Sequence, residues 1–267
     1  MALFQQVLFG VCTGLIGMFK VLFFRQLLWC FFALALLIFA LGISWQVNKS
    51  MNFSYGFWYQ TLDIHSVIAK HVPENTQGKR DFPVNNAELH EQKFADIVQA
   101  IHQHGEGLTD IRYVNSQGLS QALLTVSEIQ HLQDVANLLD SLVDVWWGNL
   151  LFLCVLLVSY LRQRKHNRFT SISVMPTGKQ KIIALACLVS LVILMLATWG
   201  FTQVFYYLHT VVFPADHQWF FYYNDSLMAS LMKAPDIFAA IAMQIVVVAL
   251  LIASGLDAAL SRYQKRN

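Results

Sequence analysis

Four apolar runs constrain this chain more than any other feature. At 1.5 Å per residue each one, the second with its flanks, is long enough to cross about 30 Å of hydrocarbon as a helix. They occupy positions 26–46, 145–161, 182–207 and 237–257. Across the whole chain of 267 residues 56% are hydrophobic and 13% charged, with a mean hydropathy of +0.48, values outside the soluble range. The expected fold class is an all-α membrane protein with four transmembrane helices.

Charge then sets the direction of the spans. Arg162, Arg164, Lys165, Arg168, Lys179 and Lys181 crowd the segment 162–181, and Arg262, Lys265 and Arg266 lie in the tail 258–267. With Lys20 and Arg25 these make eleven of the 18 basic residues, whereas every acidic residue except Asp257 falls in 47–144 or 208–236. Basic segments stay on the cytoplasmic side, so both termini are expected inside and the two acidic segments outside. Residues 1–25 are apolar but interrupted by Gln5, Gln6, Gly10, Gly14 and Gly17. Their basic residues follow the apolar run, the reverse of a secretory signal, and the segment is expected to lie at the cytoplasmic interface.

The outer segment 47–144 is long enough for a small, mainly helical extracytoplasmic cap. Its first aromatic stretch, Met51 to Tyr59, suits a bilayer surface, and His71 to Asn86, with Pro73, Gly78 and Pro83, reads as loop. Phe94, Ile97, Val98 and Ile101 then recur at helical spacing before Gly105 and Gly107. Thr125 and Glu128 have capping-box spacing, and Ile129, Leu132, Ala136 and Leu139 form a stripe on a second helix that runs into the second span. The second outer segment, 208–236, is read as a loop that returns to the membrane through Ser226 to Met232, with Pro235 at the start of the fourth span. Cys12, Cys30, Cys154 and Cys187 sit in apolar runs without paired spacing, which suits small buried hydrophobes rather than disulfides or metal ligands.

Two places carry chemistry. His131 has Glu128 one turn before it and Asp134 one turn after it, so a carboxylate is in reach to orient the imidazole and leave its other nitrogen as a base; a solvated helix face gives the same pattern. His209, Asp216 and His217 stand among Phe213, Trp219, Phe220, Phe221, Tyr222 and Tyr223 at the edge of the third span. Polar groups held there suit lipid chemistry, and an ordinary interfacial aromatic belt has the same composition. His217 is read as structural. No phosphate-binding loop, dinucleotide fingerprint, zinc-binding His-Glu-x-x-His or Gly-x-Ser-x-Gly elbow occurs, and no metal or other cofactor is expected. The basic loops face anionic lipid, so nucleic acid is not an expected partner.

The segment Ser127 to Val135, with Glu128, His131 and Asp134, together with His209 followed by Phe213, Asp216, Trp219, Phe221, Asp225, Leu227, Leu231, Pro235 and Phe238, resembles the bacterial lipoprotein intramolecular transacylase family. The resemblance implies a four-span bundle with an extracytoplasmic cap in the bacterial cytoplasmic membrane, and catalytic histidines at His131 and His209. It implies transfer of an acyl chain from the sn-2 oxygen of a diacylglyceryl group to the N-terminal cysteine amine of diacylated lipoproteins, giving the lyso-form. Asp134, Asp216 and Glu128 would support the histidines, and Phe213, Trp219, Phe221 and Tyr222 would line the substrate pocket. Such a transfer needs only a base for the amine, an acid for the departing oxygen and the exclusion of water. A membrane scaffold that binds a protein partner and a membrane ester hydrolase are the competing readings.

Overall fold

A computed structural model describes residues 30–165 and 178–266. The expected interfacial segment 1–25 and most of the basic loop 162–181 lie outside the described residues. The fold is mostly helical, in the order α1 (Cys30–Ser50), α2 (Tyr55–Thr61), α3 (Ile64–His71), α4 (Ala87–Ile101), β1 (Arg112–Val114), β2 (Ser120–Ala122), α5 (Val126–Lys165), α6 (Gly178–Trp199), α7 (Phe201–Val212), α8 (Leu227–Met232) and α9 (Asp236–Arg266). Among the described residues α1, α5 and α9 are long and apolar enough to cross a membrane, and a fourth crossing follows if α6 and α7 count as one broken span.

Two compact units divide the described residues. One combines the chain up to Phe39 with Trp147–Val192, and the other combines Ala40–Trp146 with Ile193–Asn267. In the first, Asn149 Nδ2 donates to the Ala35 carbonyl at 2.9 Å, so a polar side chain within an apolar run is satisfied by a neighbouring helix. Cys30, Cys154 and Cys187 are free but exposed, not buried as the sequence suggested. A helix meant for lipid has no protein on its outer side, so an apolar position there need not be covered by protein.

The second unit carries the folded head between α1 and α5. Asn86 caps α4, its side chain accepting from Leu89 N at 3.0 Å, and the helix turns Phe94, Ile97 and Val98 inward as their spacing predicts. Gly105 and Gly107, at φ +83° and +87°, end that segment in backbone that favours glycine. Thr125 and Glu128 do form a reciprocal capping box, Thr125 N donating to Glu128 Oε2 at 2.5 Å and Glu128 N to Thr125 Oγ1 at 3.3 Å.

The aromatic stretch after α1 does not simply lie outward. Phe53, Tyr55 and Tyr59 are buried in the head while Phe57 is exposed, because α2 is amphipathic and Tyr55 stacks on Phe94 at 4.2 Å. The two-strand hairpin β1–β2 was not anticipated; each strand has only three residues, too few for a period-2 signal.

The larger corrections fall after α6. The third apolar run is not one straight helix to 207. It breaks at Gly200, φ +80°, and α7 departs from α6 at 92°. The backbone there lies in the left-handed half of conformational space, open chiefly to glycine, and the apolar part of α6, Ile183–Trp199, is about 26 Å long, just short of the hydrocarbon thickness. His209 therefore stands on a helix rather than in a loop. The Ser226 to Met232 segment is likewise not a simple return to the membrane. All six residues of α8 are buried against α3, α4 and α9, the expected fate of a helix that is apolar all round. Burial of Leu227 and Leu231 contributes about 1.5–3 kcal/mol each.

Polar side chains join α1 to α9. Ser44 Oγ donates to the Ile245 carbonyl at 2.8 Å, and the Gln244 amide gives hydrogen bonds to Asn48 Oδ1 and Ser54 Oγ while accepting from Trp58 Nε1. Gly42 lets the indole of Trp146 lie on α1: a Cβ added there would meet Trp146 Nε1 at 2.1 Å. Gly42→Leu is expected to lower stability by about 1–3 kcal/mol through overpacking, checked as a lower midpoint of thermal unfolding in detergent.

Candidate active site

Helices α5 and α7 bring His131 and His209 together. Their ring centroids are 6.0 Å apart and tilted by 35°. His131 points inward from the stripe of α5, where it is buried beside Leu132 and Ala136. One amphipathic turn places His209 and Phe205 on one face of α7, with ring centroids 4.0 Å apart.

The two imidazoles are fixed differently. His209 Nδ1 donates to the Phe205 carbonyl at 2.7 Å, which sets the tautomer and leaves Nε2 as the acceptor in the neutral ring. His131 Nδ1 is buried with no hydrogen-bond partner among the described residues. Other buried histidines show the contrast. His90 has both ring nitrogens engaged, with Tyr59 Oη and the Pro83 carbonyl, and His102 likewise bonds Trp45 Nε1 and the Val98 carbonyl. Burial pushes both below the ordinary imidazole range. Their needs are met within the fold, whereas a buried polar atom left unmet points to a group that arrives from outside.

Aromatic side chains wall this pair. Phe213 lies 4.9 Å from His131 and 5.1 Å from His209, Phe221 lies 6.0 Å from His131, and Trp219 lies 5.1 Å from His209. Phe205, stacked on Phe238 at 5.6 Å, closes another side. Phe205 was missed in the sequence, although its place four residues before His209 on a helix would have found it. Tyr222 is not brought to the histidines. It is exposed, and its ring packs on Phe220 at 5.0 Å.

The carboxylates take positions other than those expected. Asp134 does not orient His131: its Oδ2 accepts from His217 Nδ1 at 2.6 Å, a partner 83 residues away, because the chain after α7 folds back across α5. Asp216 is exposed and acts on His217 through charge, with no bond to His209. Glu128, fully buried, accepts a short hydrogen bond from Ser226 Oγ, and Ser226 in turn caps α8 by accepting from Ala229 N at 2.8 Å. Lys79 Nζ stands 4.0 Å from Glu128 and donates to the Leu123 carbonyl at 2.6 Å. Glu128 thus holds the start of α5 to the start of α8, one helical turn from His131.

The hydrogen bond to Asp134, then the charges of Asp134 and Asp216, raise the His217 pKa. A raised folded-state pKa gives stabilisation that is complete below the ordinary imidazole value and is lost as pH rises through the raised one. Protection against hydrogen exchange at 213–221, taken relative to the intrinsic rate at each pH, is therefore expected to be greatest at mildly acid pH and to decline toward alkaline pH. An Asp134→Ala variant should lose most of that dependence.

No cluster of three or more His, Cys, Asp or Glu with metal-binding geometry occurs among the described residues. The fold and the paired imidazoles define a helical membrane protein with an aromatic-walled site suited to proton transfer at an ester. A family model described as lipoprotein intramolecular transacylase Lit matches residues 27–234, and the chain belongs to that family. Its activity is that of a transacylase with lipoproteins as substrates, and the scaffold reading falls away. Among solved structures, the in meso structure of the membrane-integral lipoprotein intramolecular transacylase Lit from Bacillus cereus, a histidine-to-arginine variant, is similar in fold. Its TM-score is 0.55 at 16% identity, covering 92% of this chain and 97% of that one. No curated protein sequence matches.

Proposed function

We propose that the chain moves an acyl group from the sn-2 oxygen of a diacylglyceryl cysteine to the amine of the same cysteine, giving lyso-form lipoprotein, with His131 and His209 as the acid/base pair. The observation that carries this is the 6.0 Å pairing of the two rings with His131 Nδ1 buried and unmet. His209 Nε2 takes a proton from the attacking amine, and the Phe205 carbonyl stabilises the imidazolium that forms. His131 gives a hydrogen bond from Nδ1 to the departing glyceryl oxygen. The carbon–nitrogen bond forms, the ester carbon–oxygen bond breaks, and His209 Nε2 passes the proton it took from the amine to the departing oxygen, which leaves as the glyceryl hydroxyl. The residues need neither metal nor covalent nucleophile for this. Holding amine and ester of one molecule side by side supplies much of the rate, and Phe213, Trp219 and Phe221 keep water away.

Four spans with an outward cap at 47–144 suit this reaction in a bacterial cytoplasmic membrane, with α7 along the outer surface and both termini inside. The α5 helix supports that arrangement: its 40 residues run about 60 Å, and its charged residues from Glu128 to Asp144 precede an uncharged stretch from Val145 to Leu161. In intact cells, cysteines introduced at exposed Gln77 or Gln117 should react with an impermeant thiol reagent. Labelling only after the inner membrane is opened would reverse the topology.

Mass spectrometry of lipoprotein N-terminal peptides tests the reaction. Cells that express the protein should gain N-acylated, monoacylglyceryl cysteine at the expense of the diacylglyceryl form. Release of free fatty acid without N-acylation would instead identify an ester hydrolase.

A further inference from the structure

The chain from Phe213 to Phe221 supplies three aromatic walls of the site, yet it has no regular secondary structure of its own. Among the described residues, the side-chain hydrogen bond that ties this stretch to another element is His217 Nδ1 to Asp134 Oδ2 at 2.6 Å. The Gln218 side chain bonds Phe220 within the stretch, and the next tie, Ser226 to Glu128, lies beyond it. Asp134 is three residues after His131, so the tie is made one helical turn from the buried imidazole. His217 and Asp134 are each partly buried, with side chains 25% and 16% exposed, so the contact is sheltered enough to hold.

We propose that the Asp134–His217 pair is a clasp that keeps the aromatic stretch closed over the two imidazoles and thereby sets the partition of the acyl group between the lipoprotein amine and water. This rests on the transacylase chemistry above. With the clasp closed, the amine is the nucleophile within reach of the ester; the carbon–nitrogen bond forms and glyceryl hydroxyl leaves. With it open, a water molecule enters and uses the same base. The ester then yields a free carboxylic acid and the same hydroxyl, with one water consumed. His217 and Asp134 are positioning residues: they touch neither ester nor amine, and they act through Phe213, Trp219 and Phe221.

The test uses the full chain purified in detergent and a synthetic diacylglyceryl-cysteine peptide, with amide product and free fatty acid measured together. His217→Ala and Asp134→Ala should each lower the ratio of transfer to hydrolysis about tenfold, while total ester consumption falls by less than about threefold. The double variant should be no worse than either single one, since both break one contact. His217→Asn and Asp134→Asn, which retain a donor and an acceptor for the tie, should recover half or more of the ratio and guard against a folding defect. His104→Ala removes an exposed bond to Asp140 on the same helix and should leave the ratio unchanged. A ratio within twofold of wild type in both alanine variants would overturn the clasp, as would additive losses in the double variant. If the wild-type protein forms no amide, the acyl-transfer reading itself fails; amide formation with an unchanged ratio removes the clasp alone.

Discussion

Replacing His131 or His209 with alanine is expected to abolish acyl transfer, lowering the rate by about 10²- to 10⁴-fold, the usual consequence of losing a proton-transfer group. Protein abundance should change little. His209 is only half-buried on α7, and His131 Nδ1 makes no hydrogen bond that the fold would lose. The double variant should fall far short of the product of the two single effects, because groups that handle one proton act as a unit. Lyso-form product per unit of membrane protein is the measure. Wild-type activity in either variant would remove that residue from the reaction.

The second large effect is structural. Glu128→Ala leaves Ser226 Oγ and Thr125 N–H without their shared acceptor, and the Lys79 ammonium without its neighbouring counter-charge, inside the head. Removing one member of a buried charged network costs about 3–5 kcal/mol, because the remaining members stay desolvated. The midpoint of thermal unfolding in detergent should fall well below that of wild type. Glu128→Gln, which retains an acceptor for Ser226 and Thr125, should lose less. A midpoint equal to wild type in Glu128→Ala would show that the contact carries no stability. Activity in this variant should decline with the folded fraction, unlike the loss in His131→Ala, and that difference separates the two roles of neighbouring positions on one helix.

What could be read from the residues alone was local. Thr125 and Glu128 signalled their capping box because both partners lie within four residues, and the stripe on α4 showed its buried face because helical period and packing agree. His131 and His209 were singled out by their surroundings and by the family resemblance, and the structure sets them side by side. The break at Gly200 was hidden, since a single glycine in an apolar run also occurs in unbroken helices. The partner of Asp134 was hidden for a different reason. The sequence offers His131 three residues away, while the true partner, His217, arrives only when the stretch after α7 folds across α5. In the same way α8 reads as a membrane return by composition, and only the packing of α3 and α4 around it makes it part of the head core.

In the proposed reaction both ends of the transfer lie in one molecule, at the His131–His209 pair. A crossover experiment addresses it directly. Two diacylglyceryl-cysteine peptides of different sequence, one carrying an isotopically heavy acyl chain at sn-2 and the other a light one, are mixed with the purified protein. The predicted result is heavy amide on the first peptide only and light amide on the second only, with neither formed by the His131→Ala protein. Heavy label on both amides, or amide formation that survives loss of His131, would contradict it.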